Sequence, residues 1–182
     1  MSSLSVYLDA DVLIAGAASP NAHSAAQVVL TLSEITLLDA ITSTLAVTEC
    51  RRNIEAKFEQ SGEVLGRFDD LIAHALEVVE APSPKQVRRY EPYADWKDVP
   101  HLASTAQHRC RYLVTYNVTD YNVSDYNAAD ASGKDTSPTG TSHTGTPHRE
   151  DDSQQAAHHL ALLDVIRPGT LVRTVRAQLA GL

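Results

Sequence analysis

The chain has 182 residues, only two cysteines and a formal net charge of −8 at neutral pH. This length fits one domain of the usual size of about 100–200 residues, and two cysteines define no disulfide framework. The N-terminus has no signal-peptide pattern, and no apolar stretch approaches the ~20 residues of a membrane span. We therefore expect a cytoplasmic protein without a membrane partner that forms a single domain over residues 1–182.

Two acidic residues follow the first predicted strand. Residues 4–8 (LSVYL) form an apolar, β-prone run that predicts a buried strand, and Asp9 and Asp11 come directly after it. Open parallel sheets bind their ligands at the carboxyl ends of the strands. One acid there could simply cap the following helix, but a second one indicates metal or phosphate chemistry.

Three further acidic residues occupy comparable positions. Glu49 lies early in a predicted helix, Asp98 fits the N-cap of another, and Asp120 comes just past a short apolar strand. Each of them alone has a simpler interpretation as a helix cap or a solvated surface residue. Together with Asp9 they predict a cluster of carboxylates at one edge of a sheet.

The rest of the pattern alternates helices with short strands. The predicted helices cover residues 22–33, 44–60, 63–76, 84–93 and 99–109, with a final one from Pro168 to Leu179. The predicted strands cover residues 4–8, 35–38, 77–80, 111–115 and 162–166. This alternation is typical of an α/β fold with a parallel sheet and helices on both of its faces.

Four segments resemble the motifs of the PIN-domain nucleases. Residues 6–14 (VYLDADVLI) resemble the family's opening Leu-Asp-Thr-Asn-Val-Leu-Ile motif, and residues 48–49 (TE) before a basic helix resemble the second. Residues 97–103 (KDVPHLA) resemble the third. Residues 113–121 (LVTYNVTDY) resemble the fourth, in the Thr-x-Asn-x-x-Asp-aromatic form common among toxin-like members. The order and spacing of the four carry the resemblance.

The resemblance implies a three-layer α/β/α fold around a short central parallel sheet. It places the family's acidic quartet, which serves catalysis and metal binding, on Asp9, Glu49, Asp98 and Asp120. Asp11, Thr115 and Asn117 would then contact the substrate or support the metal ligands. The family usually has Thr or Ser where this chain has Ala10, and Asn where it has Asp11, so one hydroxyl near the metal is lost and one charge is added.

A polar segment follows the fourth motif. Residues 117–121 (NVTDY) are nearly repeated as residues 122–126 (NVSDY), which makes Asp125 an alternative to Asp120. We favour Asp120, because it lies closer to the end of the strand. The sequence beyond the repeat is rich in Ser, Thr, Gly, Pro, Asp and His, and such a composition cannot bury enough apolar surface to offset its ordering entropy. We predict that residues 122–157 form a loosely packed insertion.

The carboxylates also point to a mechanism. Converging acids raise one another's pKa unless a cation neutralises them, and oxygen ligands without Cys or His favour Mg²⁺ or Mn²⁺ over zinc. We expect metal-assisted phosphodiester hydrolysis, in which Asp9 together with Asp98 or Asp120 holds a cation that activates water. Glu49 would orient this water or complete the shell of ligands.

The resemblance further implies the substrate and the partners. Most PIN domains cut single-stranded RNA, and many small bacterial ones are toxins held by a short antitoxin, often as homodimers. RNA is therefore the expected substrate, while an antitoxin and a homodimer are open options.

Two alternative functions stay open. Asp9 and Asp11 also match the Asp-x-Asp motif of haloacid-dehalogenase-like phosphatases, in which the first acid is the nucleophile. Leu13, however, stands where that motif has Thr or Val. The second alternative is a catalytically weak PIN fold that binds RNA or a protein, and it is suggested by Ala10 and the near-repeat after Asn117.

Overall fold

Five strands form one parallel sheet in the computed structural model, which describes residues 4–123 and 160–181. The strands are Leu4–Leu8 (β1), Leu38–Ser43 (β2), Glu77–Val79 (β3), Tyr112–Val114 (β4) and Asp164–Ile166 (β5). Their order across the sheet is β3-β2-β1-β4-β5. The first strand of the chain is therefore the central one, with β2 and β4 on its two sides.

Seven α-helices and two short 3-10 helices are complete within the described residues, and all but the last α-helix lie between strands. The α-helices are Ala10–Ala18 (α1), Ala25–Glu34 (α2), Thr44–Lys57 (α3), Ser61–Ala75 (α4), Pro84–Val87 (α5), Val99–Gln107 (α6) and Pro168–Ala180 (α7). The 3-10 helices are Glu91–Tyr93 and Val118–Asp120.

The central strand separates two hydrophobic cores, because successive side chains of a strand point to opposite faces of the sheet. Val6 and Leu8 lie in a core with residues of α1 to α4 and α7, whereas Tyr7 lies in a second core with residues of α6. All three side chains are fully buried. The predicted three-layer α/β/α architecture is confirmed.

Most predicted elements agree with the structure to within a few residues, but two are wrong. The strand predicted at residues 35–38 begins only at Leu38. The residues before it form a C-terminal turn on α2, in which the N–H of Leu37 donates to Leu32 O and that of Thr36 to Ser33 O. Thr36 has a φ of 61°, the left-handed conformation that this type of turn requires. Glycine usually occupies such a position, and its absence here removed the sequence pattern that marks the end of a helix.

The other wrong element is the helix predicted over residues 84–93. It is a single turn, α5, followed by a 3-10 helix that contains Pro92, because proline cannot donate the backbone hydrogen bond that a continuous helix needs. In addition, helix α1 was missing from the predicted helices. The sequence of α1 is apolar on nearly all sides and follows a strand directly. It therefore lacks the alternation of apolar and polar faces by which a helix is recognised in a sequence.

The predicted insertion, residues 122–157, lies outside the described residues apart from its first two. Val123 is buried in the second core, and the N–H of Asn122 donates to Tyr93 O at 2.8 Å. Asp125 also lies outside the described residues, and the single domain over residues 1–182 stays a prediction. Over 4–123 and 160–181, no helix combines the length and the apolar character needed to cross a membrane.

Two glycines offer a matched test of the packing between α1 and α2. A Cβ on Gly16 of α1 would overlap Leu30 of α2, which is buried, whereas a Cβ on Gly66 of α4 meets nothing within 4 Å. Both Gly→Ala changes gain about 1 kcal/mol of helix propensity, but only Gly16→Ala overpacks the core, at about 1–3 kcal/mol. Urea denaturation should therefore find Gly16→Ala less stable than Gly66→Ala by about 1–3 kcal/mol. Equal stabilities would contradict the packing described here.

Candidate metal centre

Asp9 lies at the carboxyl end of the central strand and begins helix α1. Its backbone N–H donates to Val114 O of β4 at 3.1 Å, and its Oδ1 accepts from the N–H of Ala10 at 2.7 Å. The hydroxyl of Tyr121 donates to its Oδ2 at 3.2 Å. Asp9 is only 6% exposed. One carboxylate oxygen of Asp9 therefore caps helix α1, while the other contacts Tyr121, the residue directly after Asp120.

His101 of α6 connects Asp9 with Glu49. Its Nδ1 lies 3.8 Å from Asp9 Oδ1, and its Nε2 lies 3.4 Å from Glu49 Oε2. Behind the ring, the hydroxyl of Tyr7 lies 2.9 Å from Nδ1 and 2.9 Å from Ser43 Oγ. The imidazole is buried, so these contacts fix both the ring and the direction of the two carboxylates.

The contacts of His101 also shift the pKa values of the pair. Burial lowers the pKa of His101, but the hydrogen bond with Glu49 and the nearby negative charges outweigh burial and raise it. The hydrogen bond from His101 lowers the pKa of Glu49, and burial opposes this only in part. Glu49 therefore stays ionised at neutral pH, with the imidazole as its partner. His101 was not among the predicted site residues, although its spacing of one helical turn after Asp98 indicates that the two share a helix face.

Asp95, Asp98 and Asp120 form a compact acidic group, with carboxylate oxygens that all lie within 4.8 Å of one another. Backbone contacts bring them together. The N–H of Asp95 donates to Asp120 O at 2.9 Å, the N–H of Asp98 donates to Asp95 O at 2.7 Å, and Ala94 forms an antiparallel bridge with Tyr121. We did not predict Asp95, because its position depends on this pairing between two distant loops.

Asp98 is the member of this group with an unsatisfied buried oxygen. Its Oδ2 is inaccessible and accepts no hydrogen bond within the described residues. Burial, together with the charges of Asp9 and Asp120, raises the pKa of Asp98 to about 6, although Lys97 opposes the shift. Buried acceptors without a partner are rare and unfavourable. The ammonium group of Lys97 lies 3.6 Å from this oxygen, too far to donate a hydrogen bond to it. A divalent cation would bind the oxygen directly, so these residues fit a hard metal ion.

Lys97 places its ammonium group beside two of these carboxylates. Its Nζ lies 3.2 Å from Asp120 Oδ2 and 3.6 Å from Asp98 Oδ2. The hydrogen bond to Asp120 and the charge of Asp98 raise the pKa of Lys97. The lysine therefore neutralises part of the acidic group from the solvent side.

Asp11 takes a supporting position near Asp9. Its Oδ2 accepts from Thr115 Oγ1 at 3.0 Å and from the N–H of Tyr116 at 2.9 Å. Thr115 Oγ1 accepts in turn from the N–H of Asn117 at 3.1 Å. Burial and the charge of Asp9 raise the pKa of Asp11 to about 6. The hydrogen bond between Asp11 and Thr115 thus ties α1 to the loop of the fourth motif, and Asn117 joins through its backbone N–H.

The four predicted acids therefore meet at one edge of the sheet, but not as one compact group. Asp98 and Asp120 are grouped with Asp95, while Asp9 and Glu49 lie at the two ring nitrogens of His101. The charge of Asp9 still raises the pKa of Asp98, which shows that the two carboxyl groups are close enough to interact. The two sets of acids are therefore linked electrostatically, through Asp9 and Asp98.

A comparison with protein families agrees with this geometry. The family model described as PIN domain matches residues 5–119, well over half of the chain. The match begins in β1 and includes the first three predicted acids as well as Asp95, and it ends one residue before Asp120. A comparison with curated proteins found no match.

The position of Lys97 generates a test of the metal centre. Its ammonium group must leave Asp120 before a divalent cation can use the same oxygens, so Lys97→Met should bind Mn²⁺ more tightly. For an exposed ion pair the expected gain is about two- to fivefold in affinity, measured by isothermal titration calorimetry. Lys57→Met, at the far end of α3, controls for the loss of one positive charge. Equal affinities in both variants, or weaker binding by Lys97→Met, would contradict this account.

Proposed function

This chain belongs to the PIN domain family, and we propose on that premise that it is a Mg²⁺- or Mn²⁺-dependent endoribonuclease. Family membership indicates a nuclease; the metal, the RNA substrate and internal cutting are our proposal. The observation that carries it is the buried Oδ2 of Asp98, which accepts no hydrogen bond within the described residues and lies beside Asp120, with Lys97 Nζ 3.6 Å away.

The donor set determines which cation the residues would hold. Asp98 and Asp120 would bind it, with Asp9 or Asp95 as a further oxygen ligand. His101 contacts Glu49 and Tyr7 and is not needed as a ligand, which leaves carboxylate oxygens that favour Mg²⁺ or Mn²⁺. When bound, such a cation supplies an activated water and neutralises charge on the phosphate.

The protein's own side chains would position the reacting groups. Tyr121 and the N–H of Ala10 fix the carboxylate of Asp9, and His101 fixes Glu49 with its charge retained. A partly exposed, ionised carboxylate such as Glu49 can accept a hydrogen bond from water and hold it toward phosphorus. Lys97, once released from Asp120, would place a positive charge near the scissile phosphate.

The two alternative functions now differ in their support. Asp11 would be the general acid of a haloacid-dehalogenase-like phosphatase, but its Oδ2 accepts from Thr115 and the N–H of Tyr116. Its Oδ1 is buried without a hydrogen-bond partner in the described part of the chain, so this oxygen is inaccessible to a substrate. We therefore do not favour that reaction. A catalytically weak binding module remains a possible outcome of the test below. The toxin role, the antitoxin, the homodimer and the cytoplasmic location stay predictions.

Cleavage of single-stranded RNA of mixed sequence tests the proposal. We expect cleavage with added Mn²⁺ or Mg²⁺, none with EDTA, and a loss of about 100-fold or more in Asp98→Asn. Asparagine can occupy the N-cap of α6, so this variant should fold. Asp70→Asn, on the surface of α4, is the matched control and should cleave normally.

Three results would contradict the proposal. Wild-type cleavage by Asp98→Asn would remove that residue from the metal centre. A folded protein that binds Mn²⁺ and RNA but does not cut would instead be a binding module. Metal-dependent turnover of a simple phosphomonoester, without RNA cleavage, would favour the phosphatase.

A further inference from the structure

Trp96 is the most exposed large apolar side chain of the described residues, with 87% of its surface accessible. Tryptophan gains more from burial than most side chains do, so this exposure serves no folding purpose. Its backbone, in contrast, is held on both sides. The N–H of Asp95 donates to Asp120 O, and the N–H of Asp98 donates to Asp95 O, so backbone hydrogen bonds lie on both sides of Trp96. The structure thus presents an accessible indole on a fixed support.

An open cleft of about 450 Å³ lies beside Trp96. Leu45 and Pro100 supply apolar surface, and Leu45 itself is 38% exposed. Glu49 lines the same cleft, so the cleft adjoins the candidate metal centre. Its size is in the range of small-molecule sites and is large enough for a nucleobase.

Two basic side chains, Arg52 and Lys97, line this cleft as well. The positive charges of Arg52 and Lys97 both lower the pKa of Glu49, so they act on the part of the cleft that adjoins the metal centre. The chain as a whole carries a net charge of −8, so a polyanion would be repelled from most of its surface. Paired positive charges next to an apolar ring are the combination that binds single-stranded nucleic acid, with the phosphate on the cations and the base on the ring.

We infer that this cleft, referred to as the Trp96 cleft, binds one unpaired nucleotide next to the phosphate that is cut. The base stacks on Trp96, and Arg52 contacts a neighbouring phosphate. A base inside a duplex already has stacking partners on both sides, so the cleft selects single strands. This inference rests on the proposed function for its choice of ligand, because the cleft shares Glu49 and Lys97 with the metal centre.

The fluorescence of this protein reports on the cleft directly, because Trp96 is its only tryptophan. We would titrate the full chain in EDTA at low salt with a single-stranded RNA octamer and with the same octamer in a duplex. EDTA prevents metal-dependent cutting, so binding is measured apart from catalysis. The expected result is quenching of the indole emission by the single strand and much weaker quenching by the duplex.

Variants then separate stacking from general attraction. In fluorescence anisotropy with a labelled octamer, Trp96→Ala should bind about 5- to 150-fold more weakly. Trp96→Phe should recover most of the affinity, because its ring can still stack. Ile35→Ala removes an exposed apolar side chain outside the cleft and should not change RNA binding.

Several results would overturn the inference. Unchanged RNA affinity in Trp96→Ala would exclude stacking, even if the wild-type protein cleaves RNA normally. A shift of the indole emission with protein concentration, without RNA, would show that a second copy covers the cleft. If single strands quench the indole emission but the protein never cleaves RNA, nucleotide binding in the Trp96 cleft would be supported and only the proposed catalysis would be refuted.

Discussion

The mutual repulsion of carboxylates at the carboxyl edge of the sheet is the constraint on which the site depends. The parallel register pairs Leu8 of β1 with Val114 of β4, so the loops that carry Asp9 and Asp120 must leave the sheet side by side. Like charges brought together raise carboxyl pKa values; at Asp98 burial raises the pKa most, and the charges of Asp9 and Asp120 add to the shift. Hydrogen bonds such as that from Tyr121 to Asp9, and the ammonium group of Lys97 beside Asp120, offset part of this repulsion. A bound divalent cation would neutralise the negative charge that is left.

Buried hydrogen bonds behind the carboxylates fix the directions in which these groups point. Tyr121 holds Asp9, and His101 holds Glu49 from α6, so three helices are aligned to the same edge of the sheet. A polar network that is satisfied in this way is rigid, which allows the metal ligands to be arranged before a cation arrives. Trp96 lies on the loop that leads into α6, so the proposed base-binding cleft and the metal centre share one support.

Local patterns predict the parts of the site that local interactions determine. Asp9 follows a strand whose alternation is clear, and Asp98 stands at the start of a helix. Asp95 was missed because a backbone bond to a loop 25 residues away brings it into the group. His101 was missed because its partners come from a strand and another helix. The displaced β2 has a similar cause, since Thr36 occupies a left-handed position that carries no glycine signal.

A crystal grown with Mn²⁺ would show whether these carboxylates bind a cation, because anomalous scattering locates the ion without any assumption about activity. We expect a peak in contact with Asp98 Oδ2 and the carboxylate of Asp120, with the ammonium group of Lys97 moved away from both. A peak at another place on the chain would contradict this expectation. So would a saturated crystal without a peak, in which Lys97 still lies between the two carboxylates.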